Sequence, residues 1–306
     1  MTGVTARVEP AAPPTDPRGS AAGRRAGGPR GVSSGAVVNA LTVDLEDWYH
    51  VCGAGETADP GQWSAYESRV TRNTHTILSL LGTRGIRATF FVLGFVAERE
   101  PGLIRAIARE GHEVATHGHF HRRIFEMSPL EFEADLVRSL DAIAAAVAGT
   151  VVGYRAPEWS MRPHTAWALP ILRKHGIRYD SSMVPLTRMG DRAYPRLPCR
   201  LATDYGEIME FPLTTVRCFG ENLPFTGGLP MRLAPYFYIL SSIRRLNARG
   251  HPAPIPPRPF LPVNPAGELP PAARDEILAI LADYLARVCF NPRPAMKPGD
   301  SRSSSA

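Results

Sequence analysis

Residues 41–50 read LTVDLEDWYH, and they change within a few positions from an apolar strand into a cluster of acidic side chains. The apolar run that leads to Asp44 predicts a buried β-strand. Glu46 and Asp47 follow directly, so three carboxylates lie within four positions. Like charges this close repel each other and are costly to bury without a counter-charge. The stretch therefore predicts that this strand ends beside a cation.

Strands and helices alternate along the chain from residue 37 to about residue 185. The patterns predict β-strands in AVVNALTVD, GIRATFFVLG, HEVATHGH, TVVGYRAP and IRYDSS, separated by amphipathic helices. Ser128, Pro129 and Glu131 form the signature of a capping box at the start of one helix. This alternation is typical of an α/β fold with a parallel sheet or barrel, in which the functional site lies at the carboxyl ends of the strands.

Two histidines follow the third predicted strand in the segment HGHFH. His117 and His121 are four residues apart, so both imidazoles would share one face if the segment turns helically. Together with a carboxylate from another strand end, they would leave coordination positions open, which is typical of a catalytic metal. His119 alternates away from the pair, so we expect it either behind the ligands or exposed.

An arginine and an aspartate follow the fourth and fifth predicted strands. Arg155 lies beside the stiff Pro157 and could hold a carboxylate base in its ionised form, or form a structural salt bridge at a barrel rim. Asp180 could orient a histidine or an arginine, or cap the next segment. In the first acidic cluster, Asp47 is the first choice for a carboxylate that merely caps the following helix.

The composition is that of an ordinary soluble globular protein. Its 306 residues are 44% hydrophobic and 21% charged, and no stretch approaches the roughly 18–20 apolar residues of a membrane span. The formal charge of +6 is weak support for nucleic-acid binding, because much of the excess lies in the tails. Four widely spaced cysteines fit a reducing compartment, so we expect a cytoplasmic location without a signal peptide. No feature indicates an oligomeric state.

Together these motifs resemble the polysaccharide deacetylase family, the NodB-homology or carbohydrate esterase 4 group. TVDLED, HGHFH and RAP match its acidic, histidine and Arg-x-Pro motifs, and ATFFVLG and GHEVATHG are similar to its core strands. The resemblance runs from about residue 38 to 185. It implies a distorted (β/α) barrel with fewer than eight strands and a divalent metal, usually zinc. The implied reaction is hydrolysis of N-acetyl groups on amino-sugar polymers.

The resemblance also implies roles for the matching residues. Asp44 corresponds to the catalytic base, His117 and His121 to two metal ligands, and Arg155 to the arginine that orients the base. We count Asp180 with the catalytic residues as an orienting group.

The third metal ligand is less directly implied. In the family it directly follows the base, where this chain has Leu45. Glu46 is therefore the expected acidic ligand, with Asp47 in reserve.

The later part of the chain resembles one subfamily and then departs from it. Asp-x-Glu-Asp, EFPLTT, NLPFTGG and MRLAPY are similar to the subfamily encoded near exosortase-type exopolysaccharide loci. The family ends its barrel with a Leu-x-His strand whose histidine is the general acid. The proline-dense HPAPIPPRPFLPVNP stands there instead, and prolines do not suit a central strand. His251 comes too early to match that histidine, and His119 is an alternative acid.

The sequence thus predicts three parts and one leading function. We expect a disordered basic leader at residues 1–36, a deacetylase domain at residues 37–250 with an extension from about residue 186, and a divergent proline-rich segment with one helix and a disordered end at residues 251–306. The predicted activity is metal-dependent removal of N-acetyl groups from an acetylated polysaccharide or oligosaccharide. The alternatives are a metal-free amidohydrolase resembling allantoinase and a catalytically impaired carbohydrate-binding protein.

Overall fold

The computed structural model describes residues 39–50, 59–83, 85–226 and 234–255. The predicted leader at residues 1–36 lies outside these residues, as does the helix predicted over AARDEILAILADYLARV. The ten strands among the described residues are β1 (Ala40–Leu45), β2 (Thr89–Val92), β3 (Glu113–Thr116), β4 (Gly153–Tyr154), β5 (Tyr179–Asp180), β6 (Cys199–Thr203), β7 (Gly206–Glu210), β8 (Thr215–Cys218), β9 (Glu221–Pro224) and β10 (Pro254–Ile255).

Six α-helices are described between or after these strands. They are α1 (Val70–Thr83), α2 (Gly94–Arg99), α3 (Pro101–Arg109), α4 (Pro129–Ala146), α5 (Ala168–Lys174) and α6 (Tyr236–Asn247). Short 3-10 turns lie at Pro60–Ala65, Ile124–Glu126, Pro157–Trp159 and Pro163–Thr165. None of the described helices is long and apolar enough to cross a bilayer.

Eight of the strands form one mostly parallel sheet. Their order is β10-β1-β2-β3-β4-β5-β7-β6, and β8 and β9 form a separate hairpin. Seven of the eight strands are parallel, and β6 is antiparallel to its neighbour β7. This mixed α/β fold with alternating helices confirms the predicted fold class. Within the described ranges, no strand pairing joins β10 to β6.

The centre of the sheet forms the main core. Phe90 in β2, Ile104 in α3 and Phe132 in α4 are each at most 1% exposed. Burying one such side chain stabilises the fold by about 1.5–3 kcal/mol. The predicted capping box is confirmed, because the Ser128 hydroxyl accepts from the backbone N–H of Glu131 and the Glu131 carboxylate accepts from that of Ser128. The helices thus fix the strand ends that carry the polar residues.

Local differences from the expected elements follow from prolines. The apolar pattern of GEIMEFPLTTV predicts one strand, but the stretch contains β7 and the start of β8, because Pro212 interrupts it. The proline in HTAWALPILRKHG predicts a disturbed helix, but Pro170 does not disturb α5, because it lies in the first turn, where no N–H donor is needed. The proline-dense C-terminal stretch contributes the two-residue strand β10, which lies at one end of the strand order beside β1.

Candidate active site

Three strands of the parallel stretch β1-β2-β3-β4 bring the predicted polar residues together at their ends. Asp44 lies in β1 and Glu46 follows it, His117 follows β3, and Arg155 follows β4. β2 lies between β1 and β3, and β4 pairs with β3. Parallel strands all end at the same edge of a sheet, so side chains from far apart in the sequence meet there.

Glu46, His117 and His121 form a compact group of three candidate metal ligands. One potential ligand atom from each residue lies within 4.8 Å of the others. Glu46 Oε2 is 2.8 Å from His121 Nε2, and the two imidazole centroids are 5.2 Å apart. Both histidines are buried, and the Glu46 side chain is 34% exposed. The carboxylate thus lies on the open side of the group.

The hydrogen bonding of His117 prepares it as a ligand. Its Nδ1 lies 2.8 Å from the carbonyl oxygen of Arg155, so Nδ1 carries the proton and donates, which leaves the Nε2 lone pair unprotonated. Burial lowers the pKa of His117, although the charge of Asp44 opposes this effect. A neutral imidazole is the form that binds a metal.

An irregular turn, rather than the helical turn considered from the spacing, brings the two rings together. Gly118 and His121 have φ angles of 75° and 51°, the left-handed region that costs a non-glycine residue energy. The Asp135 carboxylate in α4 accepts the backbone N–H groups of His119 at 2.7 Å and Phe120 at 3.1 Å. Asp135 therefore anchors this turn, and no local sequence pattern singled it out.

The donor set fits a divalent ion. Glu46 Oε2 is a buried atom that receives no hydrogen bond from the described residues, although His121 Nε2 is close to it. A cation between the carboxylate and a neutral imidazole would satisfy both atoms. Two imidazoles and one carboxylate are a zinc ligand set that leaves a coordination position for water or substrate.

Asp44 lies beside this group and is held by Arg155. Arg155 Nη1 donates to Asp44 Oδ1 at 2.7 Å, and the side chains are 1% and 15% exposed. Burial raises the pKa of Asp44, but the charges of Arg155, His117 and His121 and the hydrogen bond from Arg155 outweigh it, so the pKa lies below its usual value. Asp44 is therefore ionised at neutral pH.

The Arg155 guanidinium is fixed on every side. Nη1 also donates to Thr42 Oγ1 at 3.0 Å, and Nη2 and Nε donate to the side-chain and backbone oxygens of Ser181 at 3.0 and 3.2 Å. Its central carbon lies 4.0 Å from the ring centroid of Phe91 and 4.9 Å from that of Trp159. This packing favours the orienting geometry over an exposed salt bridge at a rim.

The remaining acidic residues lie apart from the ligand group. Asp47 Oδ2 accepts the backbone N–H groups of Arg69 at 2.7 Å and Val70 at 3.1 Å, so Asp47 caps the start of α1. Asp180 is fully buried in β5, at the position paired with Glu210 in β7. The charge of Arg155 lowers the pKa of Asp180, although burial raises it more.

Two further histidines lie near the turn but differ in surroundings. His119 is fully buried rather than exposed, and its Nε2 lies 3.7 Å from a carboxylate oxygen of Glu98. His50, which the sequence patterns did not single out, accepts the backbone N–H of Asp47 at Nδ1, 2.8 Å away. Burial lowers the pKa of His50 to about 3, with further contributions from His121 and His117. His50 is therefore a neutral imidazole in the electrostatic surroundings of the candidate ligands.

Two family models match neighbouring parts of the chain. Residues 55–179 match the family model described as Polysaccharide deacetylase, and residues 181–255 match a Domain of unknown function (DUF3473). These two matches confirm the resemblance to the polysaccharide deacetylase family and to its subfamily with a C-terminal extension. The first match begins after the acidic cluster, so the roles of Asp44 and Glu46 rest on motif and geometry.

Individual relatives are similar over part of their length. A peptidoglycan deacetylase of Helicobacter pylori is 31% identical over 108 residues, which are 35% of this chain and 36% of the relative. A chitooligosaccharide deacetylase of a Bradyrhizobium species is 30% identical over 99 residues, which are 32% of this chain and 43% of the relative. The chain thus matches less than half the length of each.

A solved structure of a candidate polysaccharide deacetylase from Mycobacterium smegmatis shares the fold. The alignment covers 88% of this chain and 97% of the other, with 22% identity and a TM-score of 0.54.

Proposed function

We propose that this chain is a metal-dependent hydrolase that removes N-acetyl groups from an amino-sugar polysaccharide or oligosaccharide. The observation that carries the proposal is the convergence of Glu46, His117 and His121 beside an aspartate that Arg155 keeps ionised. The relatives whose names specify peptidoglycan or chitooligosaccharide deacetylation support this substrate class.

The three candidate ligands would hold a divalent ion, for which zinc is the first choice from the donor set. Such an ion supplies Lewis acidity and lowers the pKa of a bound water. His117 presents Nε2 because its Nδ1–H is fixed on the Arg155 carbonyl. Glu46 adds a negative charge that offsets part of the charge of the ion.

Asp44 would act as the base. Arg155 binds its Oδ1, which leaves Oδ2 to take a proton from the attacking water. Because its pKa lies below the usual value, protonated Asp44 is a strong acid and returns the proton readily to the departing amine. We assign both transfers to Asp44 because His119 faces Glu98.

Acetate release from chitooligosaccharides and from peptidoglycan, measured with and without added zinc, tests the proposal. Asp44→Asn keeps the size of the side chain but removes the base, and we expect a loss of about 10²–10⁴-fold. Asp141→Asn removes an exposed carboxylate from α4 and is the matched control, with activity unchanged. Wild-type activity retained by Asp44→Asn would reject the base assignment.

The same experiment separates the alternatives. Acetate release that survives complete chelation would support a metal-free amidohydrolase. Saturable sugar binding without turnover, in the presence of bound zinc, would support a carbohydrate-binding protein.

A further inference from the structure

Two buried carboxyl groups lie opposite each other outside the candidate ligand group. Asp180 in β5 and Glu210 in β7 are paired positions of neighbouring parallel strands. Both residues are 0% exposed. Two carboxylates cannot both stay ionised at such close range in a buried setting.

The hydrogen bonds leave room for one proton between them. The Ser182 hydroxyl donates to Asp180 Oδ1, and the Met183 N–H donates to Glu210 Oε1 at 2.9 Å. No N–H or O–H group of the residues described here donates to Asp180 Oδ2 or Glu210 Oε2. Asp180 and Glu210 are at paired positions of adjacent strands, so these two oxygens can share one hydrogen bond, which requires that one carboxyl group be protonated.

The surrounding charges decide which carboxyl keeps the proton. Burial raises the pKa of Asp180 to about 6, while bonds from Glu210 and Ser182 and the charge of Arg155 oppose the rise. Burial and the charge of Asp180 raise the pKa of Glu210 well above its usual value. Glu210 is therefore the protonated partner.

Apart from the charged Arg155, three further titratable groups near the pair are neutral at pH 7. They are Tyr154 in β4, Tyr194 in the segment before β6, and Cys199 in β6, and burial raises the pKa of each.

The pair connects to the arginine that holds the base. Ser182 Oγ, which donates to Asp180, accepts the backbone N–H of Ala156 at 2.7 Å. The adjoining Ser181 accepts Arg155 Nη2 and Nε through its hydroxyl and carbonyl oxygens. The position of residues 181–183 therefore determines the position of the Arg155 guanidinium.

We propose that Asp180 and Glu210 share one proton and act as positioning residues, which hold residues 181–183 where they orient Arg155 on Asp44. The protonated Glu210 is the part of this arrangement that no sequence motif singled out. Its catalytic consequence rests on the proposed function, but the shared proton does not.

Glu210→Gln and Glu210→Ala form a matched pair for the positioning role. The glutamine amide can accept from Met183 and donate to Asp180, as protonated Glu210 does, so kcat, KM and zinc affinity should stay near wild type. Glu210→Ala removes both bonds, and we expect kcat to fall about 10–100-fold with unchanged KM and zinc affinity. The positioning role is overturned if the two variants have equal activity, or if Glu210→Gln does not keep a kcat near that of the wild type.

The shared proton is tested without any activity measurement. The unfolding equilibrium constants of wild type and Glu210→Gln are compared by urea titration from pH 5 upward, with zinc chelated. The folded pair keeps a proton that the unfolded chain has lost, so the wild-type constant should rise up to tenfold more per pH unit than that of Glu210→Gln. Parallel curves would show that no proton is held and overturn the proposal. If Glu210→Ala does not fold, the proposal is judged from this comparison of unfolding constants together with the activity of Glu210→Gln.

Discussion

Replacing Arg155 with methionine should uncover the cost of burying Asp44. Methionine fills much of the space between Phe91 and Trp159 but makes none of the four hydrogen bonds of the guanidinium. The Asp44 side chain is only 15% exposed, so its carboxylate would lose its main counter-charge in a poorly solvated position. Removing one partner of such a buried pair costs about 3–5 kcal/mol, and we expect the free energy of unfolding to fall by that amount at pH 7.

The stability difference between wild type and Arg155→Met should depend on pH. In the wild type the pKa of Asp44 is lowered, so its stabilising contribution is present above the unfolded value of 3.8 and is lost as the pH falls below it. Without Arg155, burial raises the pKa of Asp44, and protonation on acidification relieves the cost. The stability gap between wild type and Arg155→Met should therefore narrow between pH 7 and about pH 4.5.

Urea unfolding followed by circular dichroism, with metal chelated, measures both effects. Arg155→Lys is the control that keeps the positive charge without the planar guanidinium, and its free energy of unfolding should lie between those of wild type and Arg155→Met. Asp44→Asn in the Arg155→Met background should recover part of the loss, because it removes the unpaired charge. Strictly additive losses from the two substitutions, or a gap that does not change with pH, would refute the coupling between Arg155 and Asp44.

Two further predictions concern the acidic cluster and the packing of α2. Asp47→Ala should lower the free energy of unfolding by about 1–2 kcal/mol with unchanged zinc affinity, because it removes the cap of α1. Glu46→Gln should weaken zinc binding with little effect on the stability of the apo-protein. Isothermal titration measures zinc affinity and urea unfolding measures stability, and the reverse pattern would exchange the roles of the two residues. Gly94→Ala should lower the free energy of unfolding by about 1–3 kcal/mol, because an added Cβ would meet the His119 ring and lie 2.7 Å from Ser139 Cα in α4. A wild-type melting temperature for this variant would show that α2 and α4 can move apart at no cost.

The alternation of apolar runs predicted most of the sheet and several helices, because periodicity and caps are local properties of the sequence. The capping box at Ser128 and the strand that leads to Asp44 are examples. Convergence of the motifs at one edge followed from the general rule for parallel sheets. The family resemblance added the expected role of each residue.

Other features depend on contacts between distant residues and could not be read from local patterns. Asp47 and Glu46 are adjacent in sequence, yet one caps α1 and the other faces His121. Asp135 anchors the histidine turn from a helix face, where an acidic residue suggests only solvent exposure. Glu210 meets Asp180 through a strand register that is set by tertiary structure.

Crystallographic anomalous scattering at the zinc absorption edge tests the central claim most directly. Crystals grown with zinc should show one strong peak about 2.0–2.2 Å from His117 Nε2, His121 Nε2 and a Glu46 carboxylate oxygen. The peak should disappear in Glu46→Gln/His121→Ala and remain in Asp47→Ala. A fully zinc-loaded crystal with no peak within ligand distance of His117 and His121 would contradict the account.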